Sequence, residues 1–200
     1  ISAKIQAIAN PSPFAVADHL PNQNHKTVLA VGRLRPEKGF DLLLEAWQLL
    51  HAKYPDWTLR IVGSGEQEQA LKQQATQLGI EKSVDWVAAT PEIAPYYAQA
   101  SVYCLSSRFE GFGMVLLEAL SFGLPIVAFD CPIGPREILA NTSNSLVAPE
   151  NAQALSDGLA QMMALETMHY QQIAKQNQQH VQQYSTEQIV TQWLDLFAQA

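Results

Sequence analysis

The sequence predicts a doubly wound α/β domain, a parallel sheet of about six strands with helices on both faces. Three observations predict it. Short continuous apolar runs, several of them ended by glycine, recur along the chain, as strands buried on both faces of a sheet require. Segments with apolar residues at helical spacing alternate with those runs, so consecutive strands are joined by right-handed crossovers. The loops that follow the strands carry glycine and charge, and in such sheets ligands sit outside the carboxyl ends of the strands.

The first 26 residues contain Asn10-Pro11-Ser12-Pro13 and Pro21-Asn22, a breaker-rich composition that predicts an extended lead-in. The run 27–31 (Thr-Val-Leu-Ala-Val) is the first strand, stopped by Gly32. Phe40, Leu43, Leu44, Trp47 and Leu50 then line one side of a helix that ends before Pro55. The run 58–62 is the second strand, closed by Gly63-Ser64-Gly65, and 66–78 is a helix terminated by Gly79. A third strand at 84–87, a short helix at 92–98 and a fourth strand at 102–105 follow. A glycine-containing loop then leads into a helix over 113–122, capped by Gly123. Strands at 126–129 and 145–147 complete the sheet, and helices at 152–164, 168–183 and 186–198 close the chain. No internal repeat is visible. The Gln-rich stretch from Tyr170 to Gln183 keeps Ile173 and Val181 in period and remains a solvated helix.

Composition narrows the function. The 200 residues are 48% hydrophobic and 16% charged, which places the chain among folded globular proteins. Nineteen Asp and Glu against twelve Lys and Arg give a net charge of -7, which argues against a general nucleic-acid binder. Cys104 and Cys131 form no zinc spacing and no disulfide framework, and read as small core residues close enough for oxidation. No apolar run is long enough for a membrane span, and no signal peptide is seen, so the cytoplasm is the expected compartment. The chain begins with Ile1, which suggests a fragment. The five histidines fall outside the loops that follow the strands. Trp47 and Trp193 are expected in helix packing stripes, and Trp57 and Trp86 at strand edges.

Among those loops, some familiar patterns fail. Gly63-Ser64-Gly65 has Glu68 where a dinucleotide fingerprint needs its third glycine, and 32–39 lacks the Gly-Lys-Ser/Thr of a P-loop. No metal-ligand cluster and no Gly-x-Ser-x-Gly elbow occurs. The loop after the first strand does bring Arg33, Arg35 and Lys38 to the carboxyl edge, a set suited to a diphosphate and equally to a solvated loop. The loop after the fourth strand is more informative. Gly111 and Gly113 precede a helix whose amides and N-terminal partial charge suit an anion. Glu118 lies in that otherwise apolar helix, where a carboxylate is costly unless hydrogen-bonded. Polyol hydroxyls would satisfy it, as would neighbouring backbone or a basic side chain.

Six motifs in order carry a family resemblance: Val31-Gly32-Arg33-Leu34, Glu37-Lys38-Gly39, Ile61-Val62-Gly63-Ser64-Gly65, Glu110-Gly111-Phe112-Gly113 with Glu118 completing E-x7-E, Gly123-Leu124-Pro125-Ile126-Val127-Ala128, and Gly134-Pro135-Arg136-Glu137-Ile138. Together they resemble glycosyltransferase family 4, retaining enzymes of the GT-B architecture. The likeness is to their Rossmann-like C-terminal domain, which binds the nucleotide-sugar donor. It implies that Arg33 and Lys38 hold the donor diphosphate and stabilise the leaving group, with no metal cofactor. It implies also that Glu110 lies by the donor sugar, with the amides of Gly111, Phe112 and Gly113 beside it. Glu118 would bind ribose hydroxyls, with Ser64, Gly65 and Val115 near the nucleotide.

The resemblance further implies two domains: 1–26 as the lead-in from a missing acceptor-binding N-terminal domain, and 27–200 as the donor domain, inactive alone. The implied reaction moves a hexose from a nucleoside diphosphate, UDP by family habit, to a glycan or lipid-linked acceptor in bacterial polysaccharide or lipopolysaccharide synthesis. Peripheral association of the full enzyme with the cytoplasmic face of the membrane is compatible with it. Where the family has a glycine shortly after the third strand, this chain reads Trp86-Val87-Ala88-Ala89-Thr90, which leaves the base open. Two other classes keep the same residues: a nucleotide-binding or docking module without catalysis, and a GT-B-shaped sugar-nucleotide epimerase that turns over donor without acceptor.

Overall fold

The computed structural model describes residues 7–198; the first six residues of the expected lead-in lie outside them. Six strands form one parallel sheet: β1 (Thr27–Val31), β2 (Thr58–Val62), β3 (Val84–Val87), β4 (Val102–Leu105), β5 (Ile126–Phe129) and β6 (Ser145–Val147). Their order is β3-β2-β1-β4-β5-β6. The direction of winding therefore reverses between β1 and β4, and a crevice opens there at the carboxyl edge.

The sheet is buried on both faces because its strands alternate between two cores. Val28 and Ala30 of β1 join Leu59 and Ile61 of β2 on one face, against α1 (Phe40–Leu50) and α6 (Ala152–Met163). Leu29 turns the other way, with Tyr103 and Leu105 of β4, against α3 (Ala94–Ala98) and α4 (Met114–Ser121). The two-residue period of a strand explains the division. On α1, Trp47 is fully buried, and its indole N–H donates to Ser83 Oγ at 3.0 Å.

Helix starts differ from the sequence expectation in two places. The second helix, α2 (Glu68–Gln77), begins two residues late because Gly65–Gln67 forms a turn pinned to the β1 loop: the Gln67 amide donates to Leu34 O at 3.1 Å. The third begins at Ala94, since the Glu92 amide donates to Thr90 Oγ1 and Pro95 sits in the first turn, where its missing N–H costs nothing. A one-turn helix, α5 (Pro135–Ile138), was not expected from the sequence. The predicted 168–183 helix is α7 (Thr167–Val181), followed by a 3₁₀ turn at Gln182–Tyr184.

The described part of the lead-in, residues 7–26, has no strand or α-helix and one 3₁₀ turn at Gln23–His25, and it is docked. Phe14 stands edge-on to Phe122 and Tyr97, with ring centroids 5.4 and 6.3 Å away, and the Ala17 amide donates to Ser121 O. Trp193 departs from its expected role. It is 44% exposed on α8 (Thr186–Ala198), where Ile189 is the buried residue, because no neighbouring element covers that stripe among the described residues. Cys104 lies inside β4 and Cys131 beyond the end of β5, both buried and both free thiols. Among the described residues no helix is long and apolar enough to cross a membrane.

Candidate donor-binding site

A cleft of about 260 Å³ opens at the carboxyl ends of β1 and β2, walled on the far side by α4. Its floor is the pair of loops that follow the two strands. The Gly32 amide donates to Val62 O, the Leu34 amide to Ser64 O and the Gly63 amide to Val87 O, so three successive strand ends are tied together. The loops approach so closely at Gly63 that a Cβ there would run into the carbonyl oxygen of Gly32. Only glycine fits. Gly65, next to Ser64, lies against Leu34 and does not itself line the cleft.

Four of the residues singled out by sequence line this cleft: Arg33, Ser64, Val115 and Glu118. Arg33 is exposed and has no ion-pair partner among the described residues. Ser64 also ties the floor to its side wall, its hydroxyl accepting from the Ala89 amide at 3.0 Å. Glu118 is half-buried, and its Oε2 accepts a 2.7 Å hydrogen bond from the Tyr97 phenol. Burial raises the Glu118 carboxyl above its ordinary value, and the Tyr97 hydrogen bond opposes that rise. The partner is thus a phenol, neither the backbone nor a basic side chain.

Lys38 and Glu110 lie beside this cleft, not on its walls. The aliphatic stem of Lys38 passes within 3.6 Å of the position a Gly32 Cβ would occupy. Its ammonium donates to Glu110 Oε1 at 2.7 Å, and Ser107 Oγ donates to the same oxygen at 2.6 Å. The carboxylate is 6% exposed, and a buried carboxylate needs this pair of donors. Gly111, Phe112 and Gly113 form the lip that runs from Glu110 to the start of α4. Gly113 caps the helix at φ +96°, a left-handed conformation that glycine adopts without the Cβ clash. No side chain caps that end; the Leu116 amide turns back to Gly113 O at 2.8 Å, which leaves the amides before it for a ligand.

Arg108, which sequence reasoning passed over, holds the two halves of the site in register. Its Nη1 and Nη2 donate to Asp41 Oδ1 and Oδ2 at 2.8 and 2.7 Å, Nη1 donates also to Pro36 O, and Nε to Glu150. Burial pushes the Asp41 carboxyl up, but the Arg108 guanidinium and the backbone amides of Asp41 and Leu42 together hold the group below its ordinary value. The Arg108 amide bonds Glu37 O, and Ser106 Oγ bonds Lys38 O, which fixes the backbone on either side of Lys38. Arg35, expected alongside Arg33 and Lys38, is exposed at the start of the 3₁₀ turn Pro36–Lys38 and has no ion pair among the described residues. Tyr97 and Ser107 were also missed. A serine three residues before Glu110 was the available sign for Ser107; Tyr97 lies 21 residues from its partner and gave none.

A wider hollow of about 500 Å³ runs along α7 past Gln172, Lys175 and Gln176, and holds none of these groups.

A family model described as glycosyl transferases group 1 matches residues 12–180. The chain belongs to that family. Its similarity to an uncharacterised glycosyltransferase of Haemophilus influenzae is 40% identity over 190 residues, 94% of this chain and 54% of that protein. To the amylovoran biosynthesis glycosyltransferase AmsD of Erwinia amylovora it is 33% over 200 residues, 96% and 55%. The chain thus spans about half the length of the curated relatives it matches. Among solved structures, TarM of S. aureus superposes with a TM-score of 0.87 at 23% identity, over 98% of this chain and 40% of that one. HepE of Anabaena, in a complex with UDP and glucose, superposes at 0.79 and 25% identity, over 88% and 48%. These likenesses bear out the GT-B, Rossmann-like architecture read from the sequence.

Proposed function

We propose that this transferase chain is the donor-binding half of a retaining glycosyltransferase that moves a hexose from a nucleoside diphosphate, with UDP the favoured carrier. One observation carries the reading: a guanidinium with no ion pair among the described residues, Arg33, and a half-buried carboxylate, Glu118, line the same cleft at the carboxyl edge of the sheet. A fork-shaped cation suits phosphate oxygens, and a carboxylate suits vicinal hydroxyls. The UDP in the HepE complex supports the choice of carrier.

In this reading the nucleoside lies between Val115, Glu118 and the 89–93 wall, and the diphosphate reaches towards Arg33, Lys38 and the amides of Gly111, Phe112 and Gly113. The bond between the sugar's anomeric carbon and the phosphate oxygen breaks, and the bond to the acceptor hydroxyl oxygen forms on the same face. The acceptor proton passes to the departing diphosphate. Fixed cations and helix amides stabilise that leaving charge without a metal. Glu110, beside the sugar, orients it. The acceptor, a glycan or lipid-linked glycan in surface-polysaccharide synthesis, is bound by the remainder of the polypeptide; the amylovoran relative supports this class. The chain alone then binds donor without transferring it.

Calorimetric titration with UDP, GDP and ADP tests the reading. UDP binds, and Arg33→Ala weakens UDP by roughly tenfold or more while leaving uridine little changed, as loss of a charge-assisted contact predicts. Binding of none of the three by folded chain overturns it. Slow turnover of donor to an epimerised sugar nucleotide would point instead to the epimerase class.

A further inference from the structure

Tyr97 does not line the cleft, yet its hydroxyl is the one side-chain partner of Glu118 among the described residues. The ring is fully buried. It is clasped by Tyr103 and Phe122, with centroids at 5.8 and 5.5 Å, and by Phe14 edge-on. A phenylalanine would fill that aromatic cluster equally well, and a buried hydroxyl is costly unless it is bonded. Because the ring cannot shift, its oxygen is a fixed point at the back of the cleft, 2.7 Å from Glu118 Oε2.

A glutamate side chain has three rotatable bonds, and nothing on α4 itself selects the orientation that faces a ligand. We propose that Tyr97 is the positioning residue for Glu118: its phenol anchors one carboxylate oxygen and leaves the other for the ribose hydroxyls of the nucleotide. This inference rests on the reading of Glu118 as a donor-site residue. The titratable and charged groups facing Glu118 among the described residues are Tyr97 from α3, Tyr103 from β4 and Arg33 across the cleft. Tyr103 is fully buried, its hydroxyl has no hydrogen-bond partner among the described residues, and burial followed by the charges of Glu118 and Glu110 pushes it up, so it remains a neutral phenol. Tyr97 alone supplies a donor.

The test compares UDP with 2′,3′-dideoxy-UDP, which keeps the base and the diphosphate but has no ribose hydroxyls. Affinities for both are measured by calorimetry on the chain, with folding checked by circular dichroism. Tyr97→Phe is expected to weaken UDP roughly tenfold, the size of a hydrogen bond to a charged group, and to leave dideoxy-UDP unchanged. Equal losses for both ligands, or none, overturn the inference. Glu118→Gln is the reference. If it too leaves the ratio of the two affinities unchanged, the donor-site reading of Glu118 fails; if it lowers the ratio and Tyr97→Phe does not, only the role of Tyr97 fails.

A second measurement follows the same ratio against pH, which cancels the titration of the phosphates that both ligands share. The ratio is lost as Glu118 protonates, and removing the phenol donor moves that midpoint upward in Tyr97→Phe. Replacing Tyr97 by 3-fluorotyrosine, a stronger donor of nearly the same shape, moves it downward. A midpoint unmoved by both changes means that Tyr97 only fills space, and overturns the proposal.

Discussion

In the proposed donor role, Glu118 is held where binding and stability pull in opposite directions. Its folded carboxyl is raised above the ordinary 4.5, burial being the leading cause, so ionisation costs the fold. Below the unfolded value both states are protonated and the cost vanishes; above the folded value it is present in full. Glu118→Gln, which still accepts from Tyr97, should therefore raise the Tm at pH 7 and make no difference near pH 4. A change of about 1 kcal/mol moves the Tm of a chain this size by about 2–4 °C, so a rise of that order would be within reach of calorimetry. A lower Tm in the variant at pH 7 would contradict this account. The residue itself was legible, because an acid inside Leu116-Leu117-Glu118-Ala119-Leu120 breaks an apolar pattern. Tyr97 was not legible, because a tyrosine at a core position of a short helix reads as packing until its hydroxyl is seen to meet a carboxylate.

At the scale of elements, the contact between the β1 loop and the β4 loop is an ionic clamp rather than an apolar one. The Arg108–Asp41 pair is about a third exposed at either end, so its worth is set nearer that of a screened pair than of a buried one. Asp41→Asn should cost about 1 kcal/mol at pH 7, measured by urea unfolding. The sign with pH is fixed: the Asp41 carboxyl is lowered below 3.8, so its contribution is complete above that value and is lost as pH falls through the folded value. The gap between wild type and variant should therefore close in strong acid. All six strands fall where the sequence put them: β1, β4 and β5 leave an almost unbroken apolar signature because they are buried on both faces, while β2 and β3 carry Arg60 and Asp85 and the edge strands β3 and β6 are largely half-buried. Helix starts were less legible. The late starts of α2 and α3 are set by Leu34 O and by Thr90 Oγ1, partners that depend on neighbouring loops or on a side-chain turn rather than on periodicity. The single turn of α5 is too short for any period to announce it.

Over the whole molecule, strand order was beyond the sequence. Alternation implied parallel crossovers, but nothing in it put β4 rather than β3 beside β1; that pairing creates the crevice. Stability should be graded accordingly. Amides of β1, β4 and β5 lie between two cores, whereas α8 buries only Ile189 and leaves Trp193, Leu194 and Phe197 exposed. Hydrogen exchange of the 200-residue chain, followed by mass spectrometry, should find α8 exchanging far ahead of the central strands. Equal protection of the two regions would show that α8 is held by contacts absent from this fold.

The tie between the loops after β1 and β2 has a mechanical consequence. Three backbone hydrogen bonds and a contact too tight for a Cβ weld the cleft floor to the edge of the sheet, so that floor behaves as a bedplate. A ligand cannot be gripped by bending it. Whatever movement admits a ligand and shuts out water has to be made by parts that travel over this surface, and the surface supplies their fixed frame of reference.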